Sequence, residues 1–298
     1  MDYKRLLPFL AMPALLLAVE IGSLLLSLPV QASGIVAFND PADVANPLIF
    51  IAILLVFTGF LLLLIKYDMK KIIAAVIAIS IFFTFAYIFA AIVYAVAGTT
   101  DLASGIVLIL SILATLILYK YPEWYVIDIL GVFIGAGVAA IFGASLDIVP
   151  VLILLALLAV YDFIAVYRTK HMITLAEGVI DMKTPILFVI PKRRDYSFIK
   201  EGIGKLADGG ERAAFIIGMG DMIMPSILVV SANVFLKGYR VFGLVNLPAL
   251  GAIIGSLAGL VVLLHFVNSG KPQAGLPPLN GGTILGFLAG WAVMGMMG

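Results

Sequence analysis

The chain contains no cysteine, which excludes disulfides, thiolate nucleophiles and thiolate metal sites. Its two histidines, His171 and His265, are too few for a His-rich metal centre, so no metal or cofactor is expected. Charge is also scarce: Asp, Glu, Lys and Arg make up 12% of the 298 residues, against about 25% in an ordinary soluble domain. A formal net charge of +1 supplies no basic field and argues against a nucleic-acid partner. What remains is apolar, with 63% hydrophobic residues, and the chain reads as a polytopic membrane protein embedded in a lipid bilayer.

Crossing about 30 Å of hydrocarbon takes about 20 apolar residues at a rise of about 1.5 Å each. Nine such stretches can be marked, at residues 6–28, 47–65, 72–96, 102–118, 126–145, 149–167, 213–236, 247–267 and 276–297. The expected fold class is therefore all-α, a single membrane domain over 1–298 with nine transmembrane helices. Helices one to six occupy 1–167, a charged loop 168–212, and helices seven to nine 213–298. All of the 18 basic residues except Lys237 and Arg240 then fall on one side of the membrane. The positive-inside rule makes that side cytoplasmic, with a cytoplasmic N-terminus and an extracytoplasmic C-terminus. The first stretch also resembles a secretory signal, with Lys4 and Arg5 ahead of the apolar run and Val30-Gln31-Ala32 behind it. Its run of about 23 apolar residues exceeds the roughly 7 to 15 of such signals, and it is read as a retained helix.

Two acids interrupt apolar stretches: Asp162 within LLALLAVYDFIAVY and Asp221 within AAFIIGMGDMIMPSILVV. A carboxylate at membrane depth costs roughly 2.5 to 3.5 kcal/mol on insertion scales, so two of them suggest a working pair. Asp162 precedes Arg168 by about 9 Å of helix, and Asp221 follows Arg212 by about 14 Å, which sets both at similar depth on antiparallel neighbours. Carboxyls that close cannot both ionise cheaply, so one keeps its proton. That state suits peptide hydrolysis: one aspartate takes a proton from water while the other donates to the scissile carbonyl. The same pair could instead serve a proton-coupled transporter or leak channel, or simply tie helices together. Glu20 is read as a packed or snorkelling residue near the outer face, Asp128 as a solvated interfacial anchor, and His265 as a snorkelling side chain.

The contexts Tyr161-Asp162 and Gly218-Met219-Gly220-Asp221 resemble the YD and GxGD signatures of the presenilin and signal peptide peptidase family of intramembrane aspartyl proteases, and the resemblance covers nearly the whole chain. It implies an intramembrane aspartic endopeptidase acting on transmembrane protein or peptide substrates, with Asp162 and Asp221 as general acid and base. It further implies a multi-pass protein of the cell (plasma) membrane of a microbe, and leaves accessory subunits or a homo-oligomer open. Gly218 and Gly220 allow close backbone approach and loosen the helix before Asp221, while Met219 is the variable position. Tyr161 either donates a hydrogen bond near the pair or packs as an aromatic.

The family's Pro-Ala-Leu motif occurs literally at Pro248-Ala249-Leu250, on the side away from the aspartates. Leu276-Pro277-Pro278-Leu279 instead opens the ninth helix on the aspartate side. The resemblance therefore carries the motif's substrate-binding role to Pro277, Pro278 and Leu279, with proline in place of the usual alanine. The two prolines are expected to hold an extended segment with free carbonyls. Because a transmembrane helix buries its peptide bonds in its own ladder, a protease must unwind it. The β-prone run Thr184-Pro185-Ile186-Leu187-Phe188-Val189-Ile190-Pro191 is expected either to pair with the unwound substrate as an added strand or to lie as a loop segment packed on the membrane surface. Glycine ladders at Gly131 and Gly135, at Gly251, Gly255 and Gly259, and at Gly282, Gly286 and Gly290 read as helix-packing faces.

Overall fold

The computed structural model describes residues 3–169, 187–193, 195–202, 213–241, 243–267 and 273–297. The apolar stretches form α1 (Tyr3–Ser33), α2 (Asn46–Lys66), α3 (Lys70–Ala97), α4 (Asp101–Lys120), α5 (Trp124–Ser145) and α6 (Ile148–Tyr167). After the long connection come α7 (Met219–Phe235), α8 (Leu247–Val267) and α9 (Leu276–Met297). Among the described residues, eight of these helices are long and apolar enough to cross a membrane, and α7, with 17 residues, is shorter. At about 1.5 Å per residue it reaches about 26 Å, less than the hydrocarbon thickness.

The chain is predominantly helical and polytopic, but the all-α expectation needs correction. Strand β1 (Leu187–Pro191) pairs antiparallel with β2 (Ala214–Gly218), and β3 (Arg240–Val241) with β4 (Val245–Asn246). The stretch expected as one helix over 213–236 is thus a strand followed by a helix. Phe215-Ile216-Ile217 is aromatic and β-branched, which favours a pleated surface. Gly218, with φ −64° and ψ 137°, is the extended residue from which α7 starts. Of the predicted β-prone run, Leu187 to Pro191 is strand and Thr184 to Ile186 lie outside the described residues.

Helix α1 lies against α5, α3 and α7, and Leu16 and Val19 on α1, Ile127 on α5 and Leu228 on α7 are fully buried. The opposite faces carry exposed Leu25, Val56, Leu113, Val160 and Leu285, the apolar exterior that a bilayer requires. Glu20, expected as a packed or a snorkelling residue, is fully buried, and its Oε1 accepts from the Ser256 hydroxyl on α8 at 2.6 Å. It is a packed residue, fixed between α1 and α8.

The glycine ladders of α8 and α9 face each other in backbone contact. A Cβ on Gly255 would lie 2.9 Å from the α-carbon of Gly286, and one on Gly259 would strike the carbonyl of Pro278. Only glycine lets the two helices come this close. Replacing Gly255 or Gly286 with valine should therefore force the pair apart, destabilising the protein by about 1–3 kcal/mol or more. A thermal melt in detergent checks this, and the expected result is a lower unfolding midpoint for both variants.

Candidate functional site

Helices α6 and α7 pack directly on each other. Asp162 sits on α6 with 6% of its surface exposed, and Asp221, partly buried, lies in the first turn of α7. The two carboxyls are close enough to interact electrostatically. The short segment entering α9 touches both. The backbone N–H of Leu276 donates to Asp162 Oδ2 at 3.0 Å, and a Cβ on the preceding Gly275 would lie 2.8 Å from Asp221 Oδ2. A residue without a side chain is the one that fits there.

Local features hold this arrangement. Asp221 is the third residue of α7 after its cap Gly218, and its carboxyl accepts the Gly218 N–H, the return half of a capping box. One turn later, buried Pro225 has no N–H to offer the Asp221 carbonyl, so the helix starts with one ladder bond missing at the aspartate. On α6, the Tyr167 hydroxyl donates to Gln273 Oε1 at 2.6 Å and receives the Ala274 N–H at 3.4 Å. Deeper in the bundle, Asn280 Nδ2 donates to the Leu155 carbonyl at 2.9 Å and fastens α9 to α6.

The predicted supporting residues divide. Gly218 is near the Asp221 carboxyl, since a Cβ there would lie 3.3 Å from Oδ2, and a Cβ on Gly220 would meet nothing within 4 Å among the described residues. Met219 packs on Gly131 of α5, where an added Cβ would meet its Cε at 2.7 Å. The Tyr161 hydroxyl is engaged by Thr58 on α2. Leu279 is buried, while Pro277 and Pro278 are partly buried in the first turn of α9. They are helical, not extended as expected, because proline's fixed φ suits a helix start where N–H groups are unpaired anyway. The Pro278 carbonyl points onto Gly259 and is not free. Residues 273–274 ahead of them are in neither a helix nor a strand.

The literal Pro248-Ala249-Leu250 sits at the other end of α7. Asn246, just before α8, donates to the carbonyls of Ala232 at 2.6 Å and Leu236 at 2.9 Å. Ala232 lies about 16 Å of helix beyond Asp221. His265 is exposed at the far end of α8. Asp128 corrects a further expectation: it is 8% exposed and accepts the Val189 N–H of β1 at 2.8 Å, so it is not a solvated anchor. Tyr167, Gly275 and Asn280 are site-shaping residues that no motif or periodicity distinguishes in the sequence, whereas Asp128 stands out there as an acid but not as a partner of β1.

The strand β2 leads directly into Asp221, and the parity of its pairing follows from Lys192 N–H donating to the Ala213 carbonyl. Pairs 190/215 and 188/217 are then the hydrogen-bonded ones, and Ala214, Ile216 and Gly218 turn their backbone groups away from β1. On the other edge of the sheet, Val189 is taken by Asp128 and Pro191 has no N–H.

The class of protein is defined by comparison with known families and structures. The model for "Signal-peptide peptidase, presenilin aspartyl protease" matches residues 13–296. A presenilin family intramembrane aspartate protease solved in a C222 space group is 51% identical, covers 96% of this chain and 100% of its own, and superposes with a TM-score of 0.71. A second solved structure, described in the same words but in a P2 space group, is 52% identical over 96% of this chain and 98% of its own, with a TM-score of 0.69. Among curated proteins, none matches. The chain belongs to the signal peptide peptidase and presenilin family of aspartyl proteases, and is accordingly a hydrolase of the membrane interior.

Gly275 offers a direct check on the site geometry. Gly275→Val should displace Asp221 or the α9 entry and lower cleavage by about 10²-fold, the cost of roughly 1 Å of misplacement at a reacting centre. The thermal midpoint should change little, because the Cβ meets a carboxyl at the site and not a packed helix face.

Proposed function

We propose that Asp162 and Asp221 form one catalytic dyad that hydrolyses peptide bonds of transmembrane substrates by activating a water. The observation that carries this reading is the Gly275–Leu276 backbone in contact with both carboxyls. The pair holds one proton between its members: the ionised aspartate takes a proton from water, and the protonated one donates to the scissile carbonyl oxygen. No covalent intermediate is needed. Surrounding helices exclude bulk water, which strengthens these interactions in the tetrahedral transition state.

The dyad faces the end of the bundle that carries the α6–α7 connection, which the distribution of basic residues assigns to the cytoplasm, with the N-terminus on that side and the C-terminus outside. Pro277, Pro278 and Leu279 line the approach as the start of α9 and hold Leu276 in place by their helical turn. An unwound substrate adds as a strand to the outward edge of β2, where Ile216 presents an N–H and a carbonyl with no partner among the described residues. This revises the expected site of strand addition from β1 to β2, and it delivers the substrate directly beside Asp221. A transport or leak function for the same carboxyls is disfavoured by the family's protease activity.

Purified protein and a transmembrane peptide test the proposal. Asp162→Asn and Asp221→Asn should each reduce cleavage by at least about 10³-fold with folding retained; normal turnover by either would refute the dyad. Ile216→Pro, which deletes only an outward N–H, should abolish turnover of a transmembrane substrate while the β1–β2 pairing survives. A hydroxyl-bearing mimic of the tetrahedral state should inhibit the wild type.

A further inference from the structure

Asp128 is a buried acid that the hydrolytic reading does not use. It stands on the face of α5 that meets β1, and its carboxylate accepts the Val189 N–H, which the strand parity turns away from β2. Three residues along the same helix face, Gly131 receives the Phe188 ring of β1 and the Met219 side chain of α7. Five residues before Asp128, Glu123 accepts the Ser197 hydroxyl at 2.6 Å and the Phe198 N–H at 2.9 Å. Helix α5 thus grips the connection on both sides of Lys192 and Arg193 as well as the residue that opens α7.

Along β1 the hydrogen bond from Val189 fixes which residue stands opposite Asp128. The register then passes across the sheet, Val189 against Ile216 and Leu187 against Gly218. Gly218 is the cap of α7, three residues from Asp221. A slip of this strand by one residue would turn every side chain to the other face, so the register is held or lost as a unit.

We propose that Asp128 is a positioning residue that fixes where the β1–β2 sheet lies against α5 and the dyad, and through it selects which peptide bond of the substrate is cut. The proposal rests on the reading of β2 as the strand that receives the substrate. A substrate strand paired along Ile216 advances past Asp221 in steps of about 3.3 Å per residue. A sheet anchored differently on α5 presents a different bond.

The test reads cleavage position as well as rate. Wild type, Asp128→Ala, Asp128→Glu, Asp128→Asn and Val189→Pro are compared on one transmembrane peptide, with products identified by mass and folding followed by thermal melts. Asp128→Ala and Val189→Pro each remove the same hydrogen bond, from opposite partners. Both should spread cleavage over neighbouring bonds and lower kcat about tenfold or more, and their double variant should be no worse than either single one. Asp128→Asn keeps an acceptor oxygen and should restore the wild-type product pattern. Asp128→Glu, one methylene longer, should displace the pattern even where Asp128→Ala fails to fold. A folded Asp128→Glu or Val189→Pro variant that cuts the wild-type bonds in wild-type proportions overturns the positioning role, because loss of stability alone lowers yield without moving the cut. An active Ile216→Pro variant would instead overturn the substrate reading beneath it.

Discussion

A backbone that leaves the helix at membrane depth has no water to satisfy its N–H groups, and the region around the aspartates depends on that constraint. Among the described residues, the N–H groups of Val189 on the outer edge of β1, Gly218 at the end of β2, and Leu276 at the entry to α9 are released from regular pairing and taken by an acid, Asp128, Asp221 and Asp162 respectively, whereas Ile216 on the free edge of β2 has no such partner. An unpaired buried N–H costs about 1–3 kcal/mol, and a carboxylate acceptor is stronger than a neutral one. Acids that look expensive in an apolar stretch are therefore also what permits irregular backbone inside the bundle, and irregular backbone is what a protease needs to reach an extended substrate.

The rest of the bundle serves to hold that irregularity still. Helices α8 and α9, locked by interleaved glycines, act as one rigid pair, and their contact fixes how far along α6 the Leu276 N–H reaches. Asn280 ties the same helix to the Leu155 carbonyl, one and a half to two turns from Asp162. On the other side, α5 supplies the bed for β1 and for Met219. Outside the membrane spans, Tyr196 closes the α5 attachment: its buried hydroxyl donates to the Gly202 carbonyl, and burial, helped by the nearby Glu201 and Glu123 charges, pushes its phenol up to about 12. Below that pH the phenol keeps its proton and the hydrogen bond it donates.

Much of this was legible before any coordinates. Hydropathy located the long helices, all but α1 and α7 to within two residues at each end, because the length of an apolar run is set largely by bilayer thickness and belongs to the run alone. The charge distribution identified Pro248-Ala249-Leu250 as facing the wrong end, and the structure puts it about 16 Å of helix beyond the aspartate level. The two aspartates stood out because ionisable groups in apolar runs are rare. Hydropathy failed at residues 214–218, where an apolar strand and an apolar helix look the same, and at Pro277 and Pro278, whose fixed φ fits either an extended segment or a first helical turn.

The sequence by itself determined what kind of molecule this is: its spans, its two membrane acids, their motif contexts and their similar distance from the basic flanks. These follow from composition and spacing along one chain. Only the tertiary structure decided which N–H each acid takes, which edge of β2 faces away from β1, and that a glycine at 275 lies against Asp221. Those outcomes hinge on pairs such as Val189 with Asp128 and Leu276 with Asp162, 61 and 114 residues apart. A hydrogen bond between segments that distant leaves no trace in local pattern, because its energy depends on where folding brings the two groups and not on the residues beside either one.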